Sequence, residues 1–147
     1  MRIVRWLAFG IGILLADAAI AQDFLHRAEN NVPVTLVKVI RQTPFTEVQL
    51  RADMDLKNVC WTSAGDNSPY LLADGRRYRF LQGNNITPCP ERRDYAAGEI
   101  MGLRFEPLPT SVRQVSLVEG KGGENQMADP ASQPGVRYLN FLRIPLP

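Results

Sequence analysis

The pattern of apolar and polar positions along the chain indicates strands. Residues 34–40 (VTLVKVI) are almost continuously β-branched or apolar, which is typical of a well-buried strand. Residues 46–53 (TEVQLRAD) and 99–106 (EIMGLRFE) alternate instead, as half-buried strands do. The alternation assigns one face to Val48, Leu50, Ala52, Met101, Leu103 and Phe105. It assigns the opposite face to Glu47, Gln49, Arg51, Arg104 and Glu106.

Residues 70–80 (YLLADGRRYRF) predict a β-hairpin. Asp74-Gly75 suits a two-residue type I′ turn, because both central positions of that turn need positive φ. In the second arm, Tyr78 and Phe80 are expected on the core face and the arginines between them on the solvent face.

The whole set of runs predicts an all-β domain. Residues 112–119 and 136–144 bring the total to seven to nine short strands, and prolines separate the runs. No sustained helical stripe is present. We therefore expect an antiparallel β-sandwich of immunoglobulin-like type over residues 33–147, with a small β-barrel as the alternative. Trp61 beside Cys60 favours the sandwich, since a tryptophan packed against a buried disulfide recurs in such cores.

The N-terminus has the features of a cleavable export signal. Arg2 and Arg5 precede an apolar run at residues 6–16, and AIA (residues 19–21) places small side chains at the −3 and −1 positions of a cleavage site. The apolar run is shorter than the roughly 20 residues of a spanning helix. Residues 1–21 are thus predicted to be a signal peptide, with an uncleaved anchor as the alternative, and the bacterial-type leader predicts a periplasmic or secreted protein.

Cleavage after Ala21 would leave a chain with no membrane span. Its first part, residues 22–32, is predicted to be an N-terminal arm or a short helix. Loss of two arginines and one aspartate changes the formal net charge from +2 to +1. This charge is too small to indicate nucleic acid or anionic lipid as a partner.

Cys60 and Cys89 are predicted to form a disulfide, because an even number of cysteines in an oxidising compartment favours pairing. A catalytic thiol would need a nearby base. The only histidine, His26, lies close to the expected mature N-terminus, so neither Cys60 nor Ser63 has an evident activating partner. We predict no catalytic residue and no cofactor.

No metal site is expected either. Asp53 and Asp55 would lie about 7 Å apart on one strand face and could join a calcium site, but no glycine-bearing loop supplies further ligands. Two cysteines and one remote histidine do not make a zinc cluster. A hydrolase that uses two carboxylates stays open, since the spacing of the acidic residues selects no particular pair.

Two regions are candidates for binding. Residues 120–135 (GKGGENQMADPASQPG) form a long connection, which is either a contact loop or a merely mobile one. Its candidate contact residues are Lys121, Glu124, Asn125, Gln126, Met127 and Asp129. The second candidate is the arginine face of the hairpin, with Arg76, Arg77 and Arg79.

Four strand and turn segments of the chain are SPYLLADGRRYRF, LRFEPLP, VSLVEG and YLNFLRIPL. On the basis of these segments, residues 60–146 resemble an uncharacterised exported bacterial β-sandwich domain of unknown function. The resemblance implies a fold class and no activity, and no catalytic residue is transferred by it.

Together these features predict an exported, non-enzymatic β-sandwich module that binds a protein or glycan in the bacterial cell envelope or outside the cell. Two alternatives remain. One is a small secreted hydrolase that uses carboxylates, and the other is an inhibitor or immunity-type partner of a secreted enzyme.

Overall fold

The protein is described by a computed structural model that covers residues 19–28, 32–120 and 139–147. Ten strands lie in these segments, and no helix does. Their bounds are β1 Ile20–Arg27, β2 Val34–Arg41, β3 Thr46–Ala52, β4 Leu56–Val59, β5 Pro69–Ala73, β6 Arg76–Asn84, β7 Arg93–Tyr95, β8 Ile100–Phe105, β9 Gln114–Glu119 and β10 Asn140–Pro145.

Eight of the strands form one antiparallel sheet in the order β1-β2-β3-β8-β6-β5-β9-β10. The two outer strands, β1 and β10, also contact each other, so the sheet curls almost into a barrel. Strands β4 and β7 form a separate two-stranded ribbon. The predicted all-β, antiparallel class is confirmed, and the curled sheet is close to the small β-barrel that was the alternative to a sandwich.

The central strands bury the faces that the alternation predicts. In β3, Val48, Leu50 and Ala52 are fully buried, and β8 pairs with β3 so that Leu103 lies opposite Val48. Phe105 ends β8, and its ring meets that of Phe80 edge-on, with 5.9 Å between the centroids. The core therefore lies inside the curl of the sheet and consists of alternate residues from successive strands.

The predicted hairpin is also confirmed. Strands β5 and β6 pair with Leu71 opposite Tyr78, and both side chains are buried. The turn residues Asp74 and Gly75 have φ values of 50° and 75°. Two successive positive φ values are the requirement of the type I′ turn, which glycine meets without steric cost.

The N-terminal segment differs from the prediction. An arm or short helix was expected from residue 22, whereas Ile20–Arg27 forms β1 and pairs along the edge of β2. The half-buried Phe24 packs against the core, while Leu25 is 80% exposed. The free backbone groups of β2 supply the hydrogen bonds for this strand, which a local sequence pattern does not reveal. The expected cleavage position after Ala21 falls within β1, and residues 1–18 lie outside the described segments.

Candidate functional site

A cavity of about 570 Å³ lies beside the β4–β7 ribbon. Its walls come from the segment that leads into β2, from the strand β4, and from the two cysteines with the adjoining Trp61. Glu119 and Leu139, which flank residues 120–138, are further described residues of the lining. We call this space the disulfide cavity. Ligand sites in proteins typically have volumes of this order.

The predicted disulfide is confirmed: Cys60 and Cys89 are bonded, with 5.0 Å between their Cα atoms. Neither residue is therefore a free thiol. Backbone hydrogen bonds continue the connection on both sides, since the Trp61 amide donates to the Thr87 carbonyl and the Cys89 amide donates to the Trp61 carbonyl. Together the covalent bond and these two hydrogen bonds fix the position of Trp61 in the cavity wall.

Trp61 brings a polar atom without a partner into this wall. The side chain is only 5% exposed, and its Nε1 atom is buried. Within the described residues, no acceptor lies in hydrogen-bond distance of that N–H group. A buried donor left unsatisfied costs roughly 1–3 kcal/mol, so an acceptor that reached this N–H group would relieve that cost.

Glu119 is the second unusual group. It is the last residue of β9 and is 8% exposed. It forms two hydrogen bonds with the backbone of Leu139, one through its own backbone and one through its side chain. The Glu119 amide donates to the Leu139 carbonyl, and the Leu139 amide donates to Glu119 Oε2 at 2.9 Å. Burial raises the pKa of Glu119 to about 7. The hydrogen bond from the Leu139 amide lowers the pKa, but by less than burial raises it. Among the described residues, no cation forms an ion pair with Glu119.

The remaining charged groups of the cavity already have partners. Asp55 Oδ1 accepts a hydrogen bond from the Ala97 amide at 3.0 Å. Lys57 pairs with the exposed Asp94 at 3.2 Å, and Arg92 donates to the Asn58 carbonyl at 3.0 Å. Asp55, Lys57 and Arg92 are exposed to water, so Glu119 in its ionised form is the buried charge of the cavity, and no cation among the described residues forms an ion pair with it.

The expectation for Asp53 and Asp55 is wrong in its geometry. The two residues lie in the bend between β3 and β4 and not on one strand face. Asp53 Oδ2 accepts a hydrogen bond from the Thr35 hydroxyl at 2.8 Å, whereas Asp55 accepts from Ala97. Across the described segments, no group of three or more His, Cys, Asp or Glu side chains is placed to hold a metal ion.

The first predicted binding region, Lys121 to Asp129, lies outside the described residues. The hairpin arginines are described, and they lie apart from the lining of the disulfide cavity. Arg76 stacks over Tyr78 at 4.9 Å and Arg77 over Tyr70 at 4.4 Å from the ring centroids.

Arg79, the third hairpin arginine, is bound to a carboxylate. Its Nε and Nη2 atoms donate to Glu106 Oε1 at 2.9 and 2.8 Å. Hydrogen bonds from the Arg79 amide and side chain hold the pKa of Glu106 below its usual value. Arg77 and Arg79 also border a second, more open cavity of about 560 Å³. The structure thus gives the three arginines separate contacts, and it brings Arg77 and Arg79, but not Arg76, to the lining of that second cavity.

Sequence reasoning missed Glu119. The signal was present in the alternation of β9, because Val115, Leu117 and Glu119 share one parity. Val115 and Leu117 are 1% exposed, and the same face carries Glu119 into the interior. A carboxylate at an inward position of a buried strand is a stronger site signal than the many exposed acidic residues.

The comparisons with known proteins add no assignment. The chain gives no significant match to any protein-family model, to any curated protein or to any solved structure. In the three segments that the structure describes, no helix has the length and apolar character required to cross a bilayer.

Proposed function

We propose that this protein is an exported, non-enzymatic binding module and that the disulfide cavity is its ligand site. The observation that carries the proposal is the pairing, in one cavity, of a buried indole N–H without an acceptor and a buried carboxyl without a cation. Buried polar groups in folded proteins are normally satisfied. The occurrence of both groups in the lining of one cavity favours a ligand that supplies an acceptor to the indole and a cation to the carboxylate.

Export is supported by two features of the chain. The first is the basic and apolar leader with its AIA segment, and the second is the Cys60–Cys89 bond. Disulfides persist chiefly in oxidising compartments such as the periplasm and the extracellular space. The expected partner is accordingly a component of the cell envelope or of the cell exterior. The immunoglobulin-like subclass and the resemblance to an exported domain family stay predictions.

The contacts around the cavity support binding over catalysis. The lining contains no histidine among its described residues, and both cysteines are in the disulfide. His26 lies on β1, with its ring 6.3 Å from that of Phe141, and is not part of the lining. The described lining therefore contains no pairing of a serine or cysteine nucleophile with a histidine base.

One specific observation favours the carboxylate-dependent hydrolase as a second candidate. Asp55 lines the same cavity as Glu119, so two carboxyl groups in different environments share one space. A carboxyl whose pKa is raised beside a second carboxylate is the general arrangement of acid–base hydrolysis. The two proposals differ in one outcome, which is whether a bound probe is consumed.

The test uses the purified, disulfide-bonded protein and a panel of short peptides and oligosaccharides. Calorimetry measures binding, and chromatography of each probe after prolonged incubation measures turnover. We expect a binding probe that is recovered intact, with affinity reduced at least tenfold in Glu119→Gln. The matched control is Glu106→Gln, which changes a carboxylate outside the cavity and is expected to leave affinity unchanged.

Two results would contradict the proposal. If no peptide or oligosaccharide binds, the cavity is not a ligand site for these classes. If a probe is cleaved and both Asp55→Asn and Glu119→Gln abolish the cleavage, the protein is a hydrolase.

A further inference from the structure

We infer that the ligand of the disulfide cavity is a lysine side chain of a partner protein, whose ammonium group pairs with Glu119. This inference rests on the proposed function and goes further by naming the chemistry that the site recognises. It follows from three features of the lining. These are the buried Glu119 carboxyl without a cation among the described residues, the apolar walls, and the Trp61 N–H group without an acceptor among the same residues.

The charge argument concerns Glu119. An ionised carboxylate that is 8% exposed and accepts one hydrogen bond is far from satisfied, because a carboxylate can accept about four. Burying such a charge without a partner is costly. A cationic ligand removes this cost and adds a charge-assisted hydrogen bond, which is stronger than a neutral one. A neutral ligand does not compensate the charge.

Ammonium fits the free part of the carboxylate better than guanidinium. Glu119 Oε2 already accepts the Leu139 amide at 2.9 Å, which leaves Oε1 as the less occupied oxygen. An arginine gains its advantage from two parallel hydrogen bonds to both oxygens of a carboxylate. A lysine ammonium acts as a compact point charge and needs only one oxygen.

The walls of the cavity fit the rest of a lysine residue. Val32, Val34, Leu56 and Leu139 contribute apolar surface, against which a methylene stem can pack while its charged end reaches a polar group. The Trp61 indole N–H needs an acceptor, and the main-chain carbonyl of a peptide provides one. A lysine within a peptide thus offers an ammonium group to Glu119, a methylene stem to the apolar walls and a main-chain carbonyl to the Trp61 N–H group.

The pH dependence of binding separates this inference from its main competitor. Ammonium binding needs the carboxylate form of Glu119, so affinity should rise between pH 6 and pH 8, while a lysine ammonium stays charged. A ligand that accepts a hydrogen bond from protonated Glu119 would show the opposite trend. Among the described residues, the other charged groups of the lining are Asp55, Lys57 and Arg92, and β5, which pairs with the end of β9, carries Tyr70.

The experiment compares Nα-acetyl-lysine methylamide with Nα-acetyl-norleucine methylamide by calorimetry. The norleucine probe keeps the peptide carbonyls and the apolar stem but lacks the cation. We expect the lysine probe to bind at least tenfold more tightly at pH 8, and to lose about tenfold in affinity at pH 6, where Glu119 is mostly protonated. The norleucine probe should show no such change, and Glu119→Gln should remove the difference between the probes.

Further arms identify the source of the ammonium and guard against a misfolded variant. n-Butylamine offers the cation without a peptide carbonyl, and a glucosamine oligomer offers it on a glycan. Both should bind more weakly than the lysine probe. In the unmodified protein, carbon NMR of Glu119 should show its pKa falling when the lysine probe binds, which requires no variant.

Equal affinity for the lysine and norleucine probes, or affinity that falls as pH rises, would overturn the lysine assignment and leave the proposed binding function intact. Preferential binding of the glucosamine oligomer would overturn it in favour of a glycan. Cleavage of a probe would instead contradict the proposed function itself.

Discussion

The curled sheet and the disulfide region, which we define as residues 53–68 and 85–95, achieve their order by different means. The sheet buries nearly every inward side chain of its central strands, and β3 and β8 leave their core-facing residues at 0–1% exposure. The disulfide region has few such residues. Its strand β4 is half-buried at its ends and exposed between them, and the adjoining Met54 is 56% exposed.

Other interactions replace apolar burial in the disulfide region. The Cys60–Cys89 bond joins its two segments, Asp94 accepts a hydrogen bond from the Asn58 amide, and Arg93 stacks over Tyr95 with 3.9 Å to the ring centroid. Because these contacts are local and directional, they leave space between the ribbon and the sheet. The difference explains why the cavity with the unsatisfied groups lies here and not within the closely packed interior of the sheet.

The largest effect is expected from a change in the sheet. Phe105→Ala removes a fully buried ring that packs edge-on against Phe80, and large-to-small changes of this kind cost about 3–5 kcal/mol. Chemical denaturation should show this loss in the free energy of unfolding. The control is Leu25→Ala, which truncates a side chain that is 80% exposed and should change stability by less than about 0.5 kcal/mol. Similar losses in both variants would show that the sheet core is not where the stability lies.

A slightly smaller effect is expected from the disulfide region. Replacing both cysteines with serine reopens a loop of 29 residues and should lower the free energy of unfolding by about 3.5 kcal/mol in the chain-entropy model. Hydrogen exchange should quicken first at the amides of Trp61 and Cys89, which bridge the two segments, and least at Val48 in β3. Uniform quickening in both regions would mean that the disulfide supports the whole fold and not this region alone.

The third prediction concerns the boundary between the two regions, where Glu119 ends β9. Its folded pKa of about 7 lies above the ordinary value of 4.5, so the folded state holds its proton more tightly than the unfolded chain. The contribution of this protonation to the free energy of unfolding is fully present below about pH 4.5, and it is lost as the pH rises to 7 and above. The expected loss is about 3 kcal/mol, because a tenfold difference in proton affinity between the folded and unfolded states corresponds to about 1.4 kcal/mol.

Denaturation curves between pH 4.5 and pH 8 measure this loss, and Glu119→Gln should flatten the slope in that window. Glu47 does not interfere there. Burial raises the pKa of Glu47, but hydrogen bonds from Gln49 and Arg104 outweigh burial and bring the pKa below its ordinary value. The contribution of Glu47 to the free energy of unfolding is therefore lost only as the pH falls. An unchanged slope in Glu119→Gln would place the titrating group elsewhere.

The sequence predicted the elements that are specified by local chemistry. Alternation identified the buried faces of β3 and β8, and Asp74-Gly75 identified the hairpin turn, because period and turn geometry are properties of neighbouring residues. The disulfide was predicted from the even number of cysteines and from the expected oxidising compartment. The arm or short helix predicted from residue 22 is a strand up to Arg27. This strand depends on the edge of β2, which is separate in sequence, so a local pattern does not reveal it.

The sequence by itself thus determined the all-β class, the inward faces of the central strands and the pairing of Cys60 with Cys89. Only the tertiary structure decided the site. It brings Trp61 and Glu119, which are 58 positions apart, into the lining of one cavity and buries both. Burial gives both groups their chemistry: among the described residues, the Trp61 N–H group has no acceptor and the Glu119 carboxyl has no cation. These are properties of the packed environment, since the same side chains exposed to water would be solvated and would titrate or hydrogen-bond in the ordinary way.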